Sequence, residues 1–312
     1  MSSLTKEQPL ASSHRDARGD SPVRRRRRFP LAPWIFILPS LALLVIFAFV
    51  PLISTGWLSL TDSNVVSGPG NFVGGQNYSR MVSDPLFWTS LRNTLVFTLG
   101  TVPTSIAIGL LLAILLNRKL PGVGLIRSLY FVPFVVSGVA VSLVMAWIFN
   151  GDYGIVNNLL RAIGLPTVAF LNNPNWAMFV LVLAVLWGRI GFCLVIYLAA
   201  LQAVPANLLE AAAIDGASAR QRFWSVTWPL LRNTTFLLLV LNVVHSLQAF
   251  DIIYVLTGGG PGFSTMVFIE YIFNTAFQGG HTGYASAMGV VFIVILLLFT
   301  YWRYRSQRKQ EL

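Results

Sequence analysis

Few residues in this 312-residue chain are equipped for chemistry, and several sit where they are costly. Arg189 lies near the middle of the apolar run AVLWGRIGFCLVIYLAAL. An arginine there costs roughly 2.5–3.5 kcal/mol if the run crosses a bilayer, so its side chain should face a water-filled path or a partner. A second apolar run carries Asn242, His245, Ser246, Gln248 and Asp251. Asn242, Ser246 and Ala249 share one helical face by their i, i+4, i+7 spacing, with His245 and Gln248 close beside it. Asp251 is either a polar group on the same path or the ion-pair partner of Arg189. His245 is either a path residue or a hydrogen-bonded interface residue. Such groups can bind and orient a polar solute, but they do not make a bond-breaking centre. The three histidines, His14, His245 and His281, form no His-Glu-x-x-His, and Gly-x-Ser-x-Gly is absent. The one cysteine, Cys193, excludes an internal disulfide and cannot make a metal site by itself. The glycine-rich TGGGPG of 257–262 lacks the Gly-Lys-Ser/Thr ending of a phosphate-binding loop.

The elements that must position these groups are apolar and long. Hydrophobic residues make up 55% of the chain and charged residues 11%, against about 25% charged in ordinary soluble domains. The charge deficit is concentrated in six apolar runs, at about 31–57, 87–116, 128–149, 175–201, 231–256 and 284–302. Each is long enough to cross a hydrocarbon layer of about 30 Å. The sequence therefore predicts an all-α, polytopic integral membrane protein with six transmembrane helices. Pro39 and Pro51 are expected kinks in the first. Asn93 and Gln202 fall near span ends and are expected to be interfacial. Trp187, Trp224 and Trp228 read as belt or packing residues.

The net charge of +11 does not point to nucleic acid. Arg24 to Arg28 directly precede the first run, and Arg303, Arg305, Arg308 and Lys309 follow the last. Basic flanks belong on the cytoplasmic side, where they also meet anionic membrane lipid. Segments 117–127 and 202–232 hold Arg118, Lys119, Arg127, Arg220, Arg222 and Arg232, whereas 58–86, 150–174 and 257–283 hold only Arg80 and Arg161. Both termini and the two basic segments are expected inside, and the three others, rich in Gly, Asn and Pro, outside. Residues 1–30 read as a disordered basic cytoplasmic segment, 31–304 as the six-helix membrane domain, and 305–312 as a cytoplasmic tail. The first run is too long for a signal core and has no cleavage site after it, so it is expected to remain as an uncleaved span.

The 202–232 segment differs from its greasy surroundings. Pro205 suits a first helical turn, helix formers run from Asn207 to Ile214, and Gly216 permits a sharp turn. A second amphipathic stretch, SARQRFWSV, follows, and Pro229 is expected to break the chain into the fifth span. The stretch carries Glu210-Ala211-Ala212, three residues, Gly216, nine residues, then Val226-Thr227-Trp228-Pro229. This resembles the cytoplasmic signature of permease subunits of binding-protein-dependent ABC importers, Glu-Ala-Ala-x3-Gly-x9-Ile-x-Leu-Pro, with Val226 for Ile and Trp228 for Leu. FDIIYVLTGGGPGFST before the last span is similar to the carbohydrate-uptake branch, its maltose-permease type in particular.

The resemblance implies a type I importer fold in which this loop is a coupling helix seated in an ATPase subunit. Glu210, Ala211, Ala212, Asp215, Gly216 and Pro229 would form the ATPase-coupling set, with small residues allowing a close fit and Glu210 an ionic pin. The implied partners are a second homologous permease, two cytoplasmic ABC ATPase subunits and an extracytoplasmic substrate-binding protein docked on the outer loops. No cofactor is expected in this chain; ATP and Mg would be bound by the partner subunits. By the same resemblance Val185, Arg189 and Phe192, together with Asn242, Ser246 and Ala249, fall where the family touches sugar. Arg189 departs from the family pattern and suits either an anionic substrate, such as a glycerol phosphate or phosphodiester, or bidentate bonds to sugar hydroxyls. The rival from another class is an ion-driven secondary carrier. It would need intramembrane acids and an internal repeat, and the sequence offers only Asp251 and no repeat.

Overall fold

The computed structural model describes residues 31–117 and 122–308. The expected basic N-terminal segment with Arg24 to Arg28, the pair Arg118 and Lys119, and the tail from Lys309 onward lie outside the described residues. The chain divides into two compact units at Pro51/Leu52.

The first unit is helical. α1 spans Leu31–Leu44 with Pro39 inside it and passes into a π-helical turn, Val45–Phe49. There the Val50 N–H bonds the carbonyl five residues back, Val45, immediately before the expected kink residue Pro51. α2, Val50–Leu58, carries the chain across the division into the second unit.

The second unit is organised around two long helices, α4 (Pro85–Leu116) and α8 (Pro174–Gln202). Both start in the same way. Asp84 and Asn173 cap with their side-chain oxygens, and a proline in the first turn supplies a helical φ at a place where no N–H is needed. α8 is the central element. On one side it packs on α4, and on another on α5 (Val123–Val135). The α5 contact depends on Gly191, because a methyl there would lie 1.9 Å from the Tyr130 carbonyl oxygen. α3 (Gln76–Ser83) precedes α4, and α6 (Gly138–Ile148) and α7 (Ile155–Ala162) follow α5 in the chain before α8. After α8 come α9 (Ala206–Ile214), α10 (Ala219–Arg222), α11 (Trp228–Leu247), α12 (Asp251–Leu256), α13 (Phe268–Phe273) and α14 (Thr282–Arg308).

Three buried apolar clusters stack along the unit. One, with Ala113, Leu194, Tyr197 and Leu238, joins α4, α8 and α11. The next, with Phe97, Leu181, Val185 and Ile253, surrounds the middle of α8. The third, with Phe87, Phe268, Met288 and Phe292, joins α4, α13 and α14. Among the described residues extended backbone makes only two isolated bridges, so the class is all-α.

Among the described residues five helices are long and apolar enough to span, or six if α5 and α6 count as one span. Three expectations are corrected here. The run expected as a straight third span, 128–149, starts at Val123 and is bent by 101° between α5 and α6. Pro133 in the last turn of α5 and an extended Val136 end the first helix, and Ser137 and Gly138 start the next. The fifth span does not run from 231 to 256. It starts at Ala219 and stops at Leu247, and Asp251–Leu256 is a separate short helix. Pro229 does not break this span. A π-helical turn at Phe223–Thr227 widens the helix just before it, and the helix continues. The sixth span lies at Thr282–Tyr301, close to where it was expected, and its helix continues to Arg308.

Candidate solute site and coupling loop

Arg189 is 8% exposed, in the middle of α8. Its Nε–H donates to Asn242 Oδ1 of α11 at 2.9 Å. Its guanidinium carbon sits 4.4 Å from the centre of the Phe192 ring and 5.8 Å from that of Phe134. Those two rings stack at 4.9 Å, so one face of the cation rests on aromatic carbon. Asn242 is fixed in turn: its amide donates to the Leu238 carbonyl at 2.7 Å and to Cys193 Sγ at 3.3 Å. The terminal guanidinium nitrogens make no hydrogen bond among the described residues.

Arg189 lines a cavity of about 130 Å³ together with Phe134, Gly138, Val185, His245, Ala249 and Asp251, among others. The sequence-predicted set is therefore partly assembled. Val185, Arg189, His245 and Asp251 line the cavity. Phe192 and Asn242 hold Arg189 from behind. Ser246 is buried and shares a 3.0 Å hydrogen bond with Thr98 of α4. Gln248 is exposed and outside the cavity lining. Among the described residues Arg189 and Asp251 form no ion pair. The Asp251 carboxylate lies instead against the first turn of α6, where a methyl on Gly138 would be 2.0 Å from Oδ2. That turn has no side-chain cap, so the carboxylate faces the positive end of a helix.

Sequence reasoning missed Phe134, Gly138 and Thr98. They come from other elements, and no spacing rule links them to Arg189. Cys193 is buried and accepts the Asn242 amide.

The second candidate region, 205–229, is an exposed helical loop. Pro205 caps α9, and no residue of α9 is buried. Glu210, Ala211, Asp215 and Gly216 are exposed, Ala212 is half-buried, and Ile214 is 87% exposed. Gly216 has φ +77°, the left-handed geometry that closes a helix most easily with glycine. Gly216 N–H bonds Ala213 O at 3.1 Å and Ala217 N–H bonds Ala212 O at 3.0 Å, which satisfies the last carbonyls. Ser218 and Gln221 then cap α10 reciprocally. α9 is thus a short helix closed at its C-terminal end and joined through one turn to a 29-residue span helix.

The segments at 58–86, 150–174 and 257–283 are more built than Gly-rich turns. Asn93, expected to be interfacial, donates to the carbonyls of Phe263 and Met266 at 2.9 and 3.0 Å and so ties down the 257–267 loop. Asn157 is fully buried and pins 150–168 through four hydrogen bonds. Asp84 accepts from Tyr271 and Tyr284. Burial alone would raise its pKa, but these bonds and the backbone N–H groups of Leu86 and Phe87 outweigh that and hold the carboxyl below its ordinary range. Glu270 of α13 is fully buried, and neither carboxylate oxygen has a hydrogen-bond partner among the described residues. Burial pushes its pKa up to about 7.

The family model described as "Binding-protein-dependent transport system inner membrane component" matches residues 105–311. The chain is 37% identical over 267 residues to the trehalose/maltose transport system permease protein MalF of Thermococcus litoralis, covering 86% of this chain and 90% of that one. It is 36% identical over 261 residues to the sulfoquinovosyl glycerol transport system permease protein SmoG of Agrobacterium fabrum, covering 83% and 84%. A crystal structure of the bacterial alginate ABC transporter, in complex with alginate pentasaccharide-bound periplasmic protein, superposes with TM-score 0.80 over 89% of this chain and 94% of that one, at 24% identity, and shows the shared fold. These matches set aside the ion-driven carrier, and with the helical bundle and the Glu-Ala-Ala loop they place the chain in the family of binding-protein-dependent transport system inner membrane components.

Proposed function

We propose that this chain is one of two membrane subunits of an ATP-driven importer that moves a carbohydrate or related polyol inward by alternating access. The observation that carries this reading is the capped, exposed α9 joined by Gly216 to a span helix. Such a lever can transmit a push from outside the bundle, and the chain itself holds no nucleotide loop.

In this reading both termini and 202–232 are cytoplasmic. Two ABC ATPase subunits bind ATP and Mg and grip α9. Glu210 makes an ionic contact with the motor, and Ala211 and Ala212 let its surface come close. A second permease completes the passage, and a loaded extracytoplasmic binding protein docks on the outer segments. ATP-driven closure of the motor swings α9, and the α10–α11 helix carries that motion to Asn242 and the Arg189 cavity. At about 130 Å³ the cavity is smaller than ligand pockets of roughly 300–1,000 Å³. This is as expected of a half-site that opens or is completed by the second subunit. Sugar transport by the relatives, and the donors, acceptors and aromatic rings of the cavity wall, support a polyhydroxylated solute.

The test is uptake into proteoliposomes holding the chain with its partner permease and ATPase subunits, plus the binding protein. Accumulation should require internal-face ATP and the binding protein together. Accumulation driven by a proton gradient without ATP would overturn the reading.

A further inference from the structure

We propose that the imported solute carries an anionic group, a carboxylate, sulfonate or phosphate, and that Arg189 receives it. This rests on the carbohydrate-import reading and narrows it.

Four observations carry it. Arg189 is buried, yet among the described residues no carboxylate pairs with it. The desolvation of a lone guanidinium is severe, several kcal/mol after relaxation. Its Nε is committed to the neutral Asn242 oxygen, and Phe192 and Phe134 hold its plane. What remains is the outer edge of the fork, two terminal nitrogens with no hydrogen bond among the described residues, on a side chain that lines the cavity. That edge matches two oxygens of one anionic group.

The acid nearest in the cavity does not cancel this charge. Asp251 lies against the uncapped first turn of α6, beside Gly138, where the helix end offsets it. His245 adds a polar wall and no acid. The pocket is thus a preset, positively charged end with hydroxyl-binding groups beyond it, suited to a sugar or polyol with one acidic substituent. A neutral sugar would leave the guanidinium desolvated and unpaired in every transport cycle.

The experiment has two stages. First, the cognate binding protein is titrated with matched pairs: glucose against glucuronate and glucose 6-phosphate, glycerol against glycerol 3-phosphate, and neutral disaccharides against their uronic-acid forms. The expected result is at least 30-fold tighter binding of an anionic member. A neutral member bound equally well or better overturns the inference but leaves the carbohydrate importer standing. No binding by any member sinks both. Second, the bound probe is followed in proteoliposomes with Arg189→Gln, Arg189→Lys and Asn242→Asp in the full complex.

Asn242→Asp is the sharper variant. It keeps the shape and the Nε contact but sets a carboxylate against the guanidinium, so the charge is cancelled with the geometry intact. We expect KM for uptake of the anionic probe to rise at least 30-fold for Arg189→Gln and Asn242→Asp, and under tenfold for Arg189→Lys. The complex should elute unchanged on size exclusion. Unchanged uptake in Asn242→Asp, or loss of the assembled complex in both Arg189→Gln and Asn242→Asp, overturns the assignment. The second outcome would mean that Arg189 is paired with a carboxylate of the other permease.

Discussion

From Pro205 to Gln221 each closing hydrogen bond joins residues no more than five apart, such as Ala217 to Ala212 and Ser218 to Gln221. Around Arg189 the bonds join residues 53 and 49 apart, on helices brought together by the whole bundle. The first region is exposed and set by local chemistry. The second is buried and set by packing. In the proposed mechanism a lever can be local because its socket would lie on another protein. A solute site in a bilayer cannot, because each polar group must be held by several elements at once. Changes at the lever should therefore alter transport and spare stability, whereas changes to the packing contacts of α8, away from the Arg189 side chain, should lower stability.

The largest expected effect at the lever is Gly216→Val. A β-branched residue at φ +77° is strained, although nothing lies within 4 Å of the added carbon. The turn would re-form with another geometry and α9 would point elsewhere. We expect ATP-dependent uptake to fall at least a hundredfold, while the thermal midpoint of the purified chain changes by no more than a few degrees. Uptake within threefold of the parent would remove the lever from the mechanism.

The matching change in the packed region is Gly191→Ala. The new methyl would meet the Tyr130 carbonyl at 1.9 Å, so α5 and α8 must separate. Overpacking of this kind costs about 1–3 kcal/mol, and backbone on the far side leaves no side chain to yield. Thermal unfolding in detergent should shift down by several degrees, and more for Gly191→Leu. An unshifted midpoint would show that the α5–α8 contact is looser than its geometry.

The same contrast explains what could be read before any coordinates. The lever was legible almost in full: Pro205, the alanine run and Gly216 have positional meaning within one turn of chain. The spans were legible as apolar length, and Arg189 was legible as a cost. Two breaks were not. Val136–Gly138 and Gln248–Phe250 interrupt apolar runs without leaving them, so hydropathy reads straight through. Pro229 misled in the other direction, because a π-helical turn at Phe223–Thr227 removes its clash. Phe134 and Gly138 were invisible as site residues because only the 101° bend brings α6 and α5 to face α8 and α12 at one cavity.

Glu270 offers a smaller effect, and one that depends on pH. Its folded pKa, about 7, lies above the ordinary glutamate value near 4.3. The folded state therefore binds more protons than the unfolded state between those values, and stability falls as pH rises through that window. The loss amounts to at most about 4 kcal/mol by pH 8 at about 1.4 kcal/mol per pK unit. Glu270→Gln should raise the thermal midpoint at pH 8, with the gain shrinking towards pH 5. Asp84, depressed instead, contributes stability above the ordinary carboxylate range, and that contribution is lost only as pH falls through its lower folded value. An equal shift at both pH values for Glu270→Gln would mean that the carboxylate is solvated.

The smallest effect is also the most local. In Ser218→Ala, Ser218 Oγ no longer accepts the Gln221 N–H, a 3.3 Å bond, while the Gln221 side chain still accepts the Ser218 N–H at 2.8 Å. Half a capping box is lost, which is worth about 1 kcal/mol. Because α10 runs unbroken into a 29-residue helix, that energy is spent on fraying the first turn and does not reach the bundle. Amide exchange at 219–222 should quicken about fivefold, the factor for about 1 kcal/mol, and exchange in α4 and α8 should not move. The thermal midpoint should stay within about a degree. If exchange quickened along α11 as well, or the midpoint fell by several degrees, the cap would be communicating with the core. The lever and the cavity would then belong to one cooperative unit, and the separation between local and packed regions would have to be given up.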